Sequence, residues 1–143
     1  AYVAEGIKRL PDLSPYRLRV RWGEQELSGE FLYGMVSNST SVAGLKLAEE
    51  HIYLNDGLFE VVLVRYPRSL SERQAILNGL LRREAVPELL YFFRTPRLEV
   101  LAEESVPWTL DGEFGGSVEQ VEIANHRGAL RIRVSEDVPL PAK

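Results

Sequence analysis

Residues 16–22 alternate between apolar and arginine side chains, in the order Tyr-Arg-Leu-Arg-Val-Arg-Trp. Because a period of two places successive side chains on opposite faces, this segment predicts a strand with one buried face. Residues 58–64 are almost wholly apolar, which predicts a strand buried on both faces. Similar patterns predict further strands at 27–37, 98–101, 118–123 and 130–134, the last two joined by a turn at 125–128.

One internal helix is predicted near residue 70. Ser69 and Glu72 have the spacing of a capping box, in which the two side chains satisfy free backbone amides at the start of a helix. An apolar stripe follows at Leu70, Ile76, Leu77, Leu80 and Leu81. Pro87 ends the segment, and Gly79 inside it costs about 1 kcal/mol relative to alanine.

The first ten residues also have helical spacing, with apolar side chains at Val3, Ile7 and Leu10 and a proline directly behind. A short helix with no cap before it favours a piece of a longer chain over a trimmed tag or a lost initiator methionine. Many short strands and few helices predict a mainly β fold, a β-sandwich with one or two appended helices. The length of 143 residues suits one domain, 1–143.

Composition excludes several classes of function. The chain has no cysteine, so it has no disulfide scaffold, thiolate metal site or cysteine nucleophile, and a cytosolic setting is favoured. It has no apolar run near 18 residues, so no membrane-spanning helix is predicted. A net charge of −4 argues against a general nucleic-acid binder, which is usually basic.

Most catalytic motifs are also missing. Neither G-x-x-x-x-G-K-[ST] nor G-x-G-x-x-G occurs, and the two histidines, His51 and His126, have no metal-ligand spacing. Arg17, Arg19 and Arg21 predict a positive stripe on one strand face, for which a solvated surface is a simpler interpretation than an anionic contact.

Two Asp-Gly pairs lie between apolar residues, Asp56-Gly57 and Asp111-Gly112, and on spacing alone both predict turns. The second pair is followed by Glu113. In extended chain, Asp111 and Glu113 would lie on one face, with the glycines at 112, 115 and 116 leaving the backbone open. This arrangement favours a site without establishing one.

The order of these segments resembles the C-terminal half of the diacylglycerol kinase catalytic region, found in bacterial diacylglycerol kinases and related lipid kinases. The similar segments include Val-Ser-Asn-Ser-Thr-Ser at 36–41, Asn-Asp-Gly-Leu-Phe-Glu-Val at 55–61 and Leu-Asp-Gly-Glu at 110–113. Two departures stand out: Ala43-Gly44 replaces the usual Gly-Gly, and Ala48-Glu49 replaces the usual Ala-Pro. The family's Gly-Gly-Asp-Gly-Thr nucleotide loop does not occur in this sequence.

This resemblance implies the second, β-sandwich domain of a two-domain kinase, without its N-terminal nucleotide-binding domain. The implied reaction is phosphoryl transfer from ATP to the hydroxyl of a diacylglycerol-like lipid. Glu113 would be the general base, and Asp111 would organise magnesium and water. A structural Mg²⁺ would be held by the Asp56 carboxylate and the backbone carbonyls of Tyr53 and Leu58, which are the hard oxygen donors that magnesium prefers.

The resemblance also implies a cytoplasmic protein that works at the inner membrane face, as a peripheral partner of its lipid substrate and with no role for nucleic acid. The oligomeric state stays open, a homo-oligomer included. A second class of function also stays open. A β-sandwich of this size could equally be a non-catalytic ligand-binding or interaction module, because fold does not fix function.

Overall fold

The computed structural model describes residues 13–38, 41–42, 45–46, 55–131 and 133, the four residues at 41–42 and 45–46 by their backbone alone. Eight strands and one helix lie in these ranges. They are β1 (Tyr16–Trp22), β2 (Gln25–Ser37), β3 (Ser41–Val42), β4 (Leu45–Lys46), β5 (Phe59–Arg65), α1 (Leu70–Arg82), β6 (Leu90–Thr95), β7 (Arg97–Leu110) and β8 (Glu113–Ala124). The predicted mainly β fold with an appended helix is therefore confirmed. The second predicted helix, at 1–10, lies outside the described residues.

Six of the strands form one sheet in the order β6-β5-β2-β1-β7-β8, and every neighbouring pair is antiparallel. Strands β3 and β4 form a separate two-stranded ribbon. Within the described ranges, the layer packed on one face of the six-stranded sheet is α1, whose Ile76 joins the buried side chains Val62, Val64 and Leu90.

Strand β5 shows why its sequence is continuously apolar. Val62 and Val64 point towards α1, whereas Val61 and Leu63 belong to a second core on the opposite face. This second core also contains Val20, Phe31, Leu98 and Val100. Because both faces of β5 are covered, neither set of alternate positions can be polar. The predicted strand buried on both faces is confirmed.

The second core is closed by curvature of the sheet. Trp22 in β1 stacks on Phe93 in β6, with ring centroids 3.9 Å apart and planes 13° from parallel. These strands are three positions apart in the sheet, which is about 14 Å in a flat one. The sheet therefore curls, so that strands without a shared hydrogen-bond ladder meet through their aromatic side chains.

Helix α1 begins as its sequence predicts. The Ser69 hydroxyl accepts a hydrogen bond from the Glu72 amide at 3.1 Å, and the Glu72 carboxylate accepts one from the Arg68 amide at 2.6 Å. The carboxylate thus reaches one residue further back than in the usual capping box. At the other end, Arg83 adopts a left-handed conformation and the Glu84 amide donates to the Gly79 carbonyl at 2.9 Å, which closes the last turn.

Strands β7 and β8 form a hairpin much longer than the segments 98–101 and 118–123 predict. Its pairing continues from Arg97↔Ala124 to Leu110↔Glu113, with a register shift between Leu101 and Val106. On the far side of β8, the predicted turn is present, since the Ala129 amide donates to the His126 carbonyl at 3.2 Å. Residues 130, 131 and 133, the described part of the strand predicted at 130–134, lie outside the strands.

Candidate functional site

Asp111 and Glu113 lie at the tip of the β7–β8 hairpin. Asp111 and Gly112 form its two-residue turn, with φ of 49° and 86°, and Glu113 begins β8 opposite Leu110. Two consecutive residues with positive φ are typical of a type I′ turn, whose twist matches the flanking strands. Asp111 is in the left-handed region, so the extended chain on which the same-face arrangement depends is not formed here.

The glycines beside this turn differ in their surroundings. Gly115 is exposed, but a Cβ there would lie 2.7 Å from the Leu110 side chain. A Cβ on Gly112 or Gly116 would meet no atom within 4 Å. The backbone is therefore open at Gly112 and Gly116, as expected, whereas at the exposed Gly115 the Leu110 side chain takes the space that a Cβ would need.

The hairpin tip is exposed on all sides in the part of the chain that the structure describes. Phe114 is 75% exposed and Leu110 is 61% exposed, and Asp111 and Glu113 are exposed between them. Neither carboxylate takes part in a hydrogen bond or ion pair among the described residues. The tip thus combines two free carboxylates with two apolar side chains on a projecting element.

The Asp56-Gly57 turn is the second predicted site. One oxygen of the Asp56 carboxylate, Oδ1, accepts a hydrogen bond from the Leu58 amide at 2.8 Å, which makes an Asx turn. Gly57 has a φ of 79° and lies against the side chain of Arg127, which donates to the Asn55 carbonyl at 2.9 Å. The predicted turn is present. Tyr53 lies outside the described residues.

A charged group absent from the sequence prediction completes this region. The guanidinium of Arg94 in β6 pairs with Asp56 Oδ2 through Nη2 and with Glu60 Oε1 through Nε, the latter at 3.2 Å. Glu60 is directly opposite Arg94 in the β5–β6 ladder. We refer to these three residues as the Asp56–Glu60–Arg94 cluster.

Glu60 is the most buried member of the cluster. The residue is 8% exposed, and its second carboxylate oxygen, Oε2, is buried without a hydrogen-bond partner. Burial raises the pKa of Glu60; the positive charge of Arg94 opposes this rise, and the negative charge of Asp56 adds to it. A signal for Glu60 was present in the sequence, since it is the one charge in the apolar segment 58–64.

The oxygen donors at this turn fit the magnesium that the resemblance implies. A carboxylate from Asp56 and a carbonyl from Leu58 are hard ligands, and the unpartnered Oε2 of Glu60 adds a buried oxygen in the same cluster. In the structure, the guanidinium of Arg94 supplies the positive charge that faces the Asp56 and Glu60 carboxylates. Across the described residues, no group of three or more His, Cys, Asp or Glu side chains is arranged to hold a metal ion. A cation here would therefore depend on backbone carbonyls.

The arginine stripe on β1 is paired with acidic side chains. Arg17 lies 3.7 Å from Glu30 and 3.4 Å from Glu103, while Arg19 and Arg21 both approach Glu26. These pairs are solvent-exposed, so each contributes little to stability. The favoured interpretation, a solvated polar face, suits this pairing better than an anion-binding surface does. No helix in the described ranges is long and apolar enough to cross a bilayer.

Curated proteins similar to this chain are named as kinases. A diacylglycerol kinase of Staphylococcus carnosus is 27% identical over 140 residues, which cover 96% of this chain and 45% of that protein. A diacylglycerol kinase of Bacillus subtilis is 27% identical over 117 residues, 81% of this chain and 38% of that protein. A Stenotrophomonas maltophilia protein named "Probable lipid kinase YegS-like" is 27% identical over 143 residues, 98% of this chain and 45% of that protein.

Solved structures share the fold. A Bacillus anthracis structure named as a diacylglycerol kinase superposes with a TM-score of 0.60 at 14% identity, covering 85% of this chain and 43% of that one. A second structure from the same organism reaches 0.67, covering 90% and 45%. No family model matches the sequence. The resemblance to diacylglycerol and lipid kinases is confirmed, and the chain spans less than half the length of these relatives.

Proposed function

We propose, from this similarity to diacylglycerol and lipid kinases, that the chain is the C-terminal β domain of an ATP-dependent lipid kinase. The reaction would transfer a phosphoryl group to the hydroxyl of diacylglycerol or a similar lipid. The observation that carries the proposal is similarity over 81% to 98% of the chain to proteins with these names. A free Asp-Gly-Glu tip on a projecting hairpin suits a domain that contributes to a cleft shared with another.

ATP binding would be the task of a second domain. Triphosphate binding needs several backbone amides or cations that converge on one place. The sequence has no glycine-rich phosphate motif, and the relatives are more than twice as long as the aligned segment. The chain alone would therefore be inactive. The assembled enzyme would act as a peripheral partner of the cytoplasmic membrane face, where its lipid substrate lies.

Glu113 would be the general base of the reaction. A lipid alcohol becomes a good nucleophile only when its proton has an acceptor, and a carboxylate within about 2.6–3.2 Å can take it. Asp111, two residues earlier, would hold the water and magnesium that accompany the ATP phosphates. The exposed position of both carboxylates leaves room for a lipid hydroxyl and a phosphate to approach the tip.

The Asp56 turn would hold a structural Mg²⁺ through the Asp56 carboxylate and the carbonyls of Tyr53 and Leu58. The described donors support this role because they are oxygen ligands next to a buried, unpartnered carboxylate oxygen. This cation would stabilise the loop that leads into β5, so it would serve the fold of the domain rather than the phosphoryl transfer.

The first prediction tests the role of Glu113 in the full-length enzyme. Glu113→Gln keeps the size of the side chain and removes the base, so kcat should fall at least about a hundredfold while the affinity for ATP changes little. The measurement is steady-state kinetics with a short-chain diacylglycerol. Glu119→Gln, an exposed glutamate further along β8, is the matched control and should keep normal turnover.

Near-normal turnover of the Glu113→Gln enzyme would remove the base assignment and leave Asp111-Gly112-Glu113 as a structural turn. A full-length wild-type enzyme that phosphorylates no lipid alcohol would contradict the kinase proposal itself. In that case a ligand-binding module would be the better description.

A further inference from the structure

The Asp56–Glu60–Arg94 cluster carries more negative than positive charge. Its two carboxylates face one guanidinium, and only three of the four carboxylate oxygens have a donor among the described residues. The fourth, Glu60 Oε2, is buried. A buried carboxylate oxygen without a donor is costly, and native structures rarely retain one unless another group satisfies it. The cluster therefore leaves one buried carboxylate oxygen without a positive partner among the described residues.

The three members differ in how firmly they are held. The Glu60 and Asp56 side chains are 11% and 19% exposed, whereas that of Arg94 is 39% exposed. Asp56 is fixed by the Leu58 amide, and Glu60 lies in the interior strand β5, but Arg94 lies on β6, at the edge of the sheet. A long side chain at an edge can turn its charge into water at small cost. Arg94 is thus the member of the cluster whose side chain can turn away from the two carboxylates into solvent.

We propose that Glu60 is a carboxylate ligand of the divalent cation at the Asp56 turn, and that Arg94 is the counter-ion which this cation displaces. The inference rests on the magnesium site in the proposed function and adds two residues to it. With Arg94 turned into solvent, two carboxylates balance a dication. Glu60 Oε2, which has no donor among the described residues, then gains a positive partner.

This proposal makes Arg94 a competitor of the cation. Calcium accepts six to eight oxygen ligands of flexible geometry, and magnesium demands a stricter octahedron with retained waters. Both need the Asp56 carboxylate, one oxygen of which pairs with Arg94. Removing the guanidinium should therefore strengthen cation binding, while removing the Glu60 charge should weaken it. A purely structural ion pair would not give these opposite effects.

The test is a calorimetric titration of the 143-residue chain with MgCl₂ and with CaCl₂ after treatment with EDTA, at constant ionic strength. Glu60→Gln should raise the dissociation constant of the cation at least about tenfold. Tenfold is the lower end of the loss in metal affinity that follows removal of a residue which only orients a metal ligand. Arg94→Met, which keeps most of the length of the side chain, should lower the dissociation constant severalfold. Arg97→Met is the matched control, because Arg97 is an exposed arginine paired with Glu122, and it should change nothing.

Unchanged affinity in Glu60→Gln, or in Arg94→Met, would overturn the proposal. Circular dichroism in the near ultraviolet checks that each variant is folded, and Arg94→Met remains decisive if Glu60→Gln does not fold. Loss of binding in Asp56→Asn with normal binding in Glu60→Gln would reject Glu60 and keep the turn site. Absence of binding in both the wild type and Arg94→Met would reject the cation site altogether, while the kinase proposal would still depend on Glu113.

Discussion

Glu60 shows how one residue can be visible in a sequence while its partner is not. Its charge interrupts an apolar strand, and this alone marks Glu60 as a candidate site residue in the sequence. Arg94 lies 34 positions later and reaches Glu60 only through the β5–β6 register. Strand β6 is itself missing from the sequence prediction, because its aromatic run at 91–93 does not alternate. The cluster therefore depends on a tertiary contact that local patterns do not encode.

The raised pKa of Glu60 predicts a pH dependence of stability in the absence of divalent cations. Because the pKa of Glu60 is higher in the folded than in the unfolded chain, the folded state holds this proton more tightly. The corresponding contribution to stability is complete below the unfolded pKa of about 4.3 and is lost as pH rises through the folded value. Glu60→Gln should thus gain stability relative to the wild type as pH rises from about 4 to 7. Urea unfolding with EDTA present measures this difference, and a change in favour of the wild type would contradict it.

Gly79 is expected from the sequence to destabilise helix α1, but in the structure glycine is the residue that fits at this position. Alanine in place of glycine usually stabilises a helix by about 1 kcal/mol. Here a Cβ would lie 2.7–2.8 Å from Val86 and Leu90 side-chain atoms and the Glu84 carbonyl, so glycine lets α1 approach the chain that follows it.

Gly79→Ala should therefore lower the free energy of unfolding by about 1–3 kcal/mol, the usual range for overpacking. Asn78→Ala, at the exposed neighbouring position, should be neutral or slightly stabilising. Denaturant unfolding of both variants provides the measurement. A stabilised Gly79→Ala protein would show that the local backbone can move apart without cost.

At the scale of elements, a strand or helix could be predicted from the sequence where its apolar side chains recur at a regular period. Strand β1 agrees closely with the sequence prediction because its side chains keep one period from end to end. Helix α1 agrees at its cap and at Ile76, whereas Leu70 and Leu81 of the predicted apolar stripe are exposed. Strand β7 does not, since its polar residues at 103–105 coincide with a register shift that breaks the alternation. The tip of the hairpin is predicted as a turn by its Asp-Gly pair, and Asp111 and Gly112 both have the positive φ that such a turn requires.

The β7–β8 turn predicts a test of that geometry. Gly112 has a φ of 86° and no atom near its missing Cβ, so a substitution there adds backbone strain without a steric clash. Gly112→Val should destabilise the chain by roughly 1–2 kcal/mol, and Gly112→Asn should recover most of this because asparagine tolerates the left-handed region. Thermal unfolding of the two variants separates strain from loss of contact. Equal stability of the two would argue against a type I′ turn.

At the scale of the whole molecule, the sequence predicts the mainly β fold class, but it does not predict the curvature of the six-stranded sheet. Alternating segments predict strands but not which strands meet across the sheet. The Trp22–Phe93 stack joins residues 71 positions apart, and no local signal marks them as a pair. Likewise, the candidate site residues were found through their motifs, whereas their exposure on a projecting hairpin required the structure.

The 143-residue chain by itself should bind ATP weakly, a prediction that concerns the whole molecule. A phosphate site needs converging amides or cations, and the arginines of β1 are engaged with glutamates. Titration calorimetry with Mg-ATP should show no affinity in the micromolar range, and the full-length enzyme is the positive control. Micromolar binding by the chain would reveal a nucleotide site outside the proposed second domain.

The curl of the sheet also gives the molecule an optical readout. The chain has two tryptophans, and only Trp22 stacks on an aromatic ring within the described residues, while Trp108 lies in β7 two residues before Leu110. Fluorescence from a Trp108→Phe protein therefore reports whether the edge strand β6 stays in contact with β1. Trp108 is partly buried against the second core, so fluorescence from a Trp22→Phe protein reports the packing of β7 on that core. Separation of β6 from β1 and loosening of β7 from the second core can thus be followed by their emission, without any attached dye.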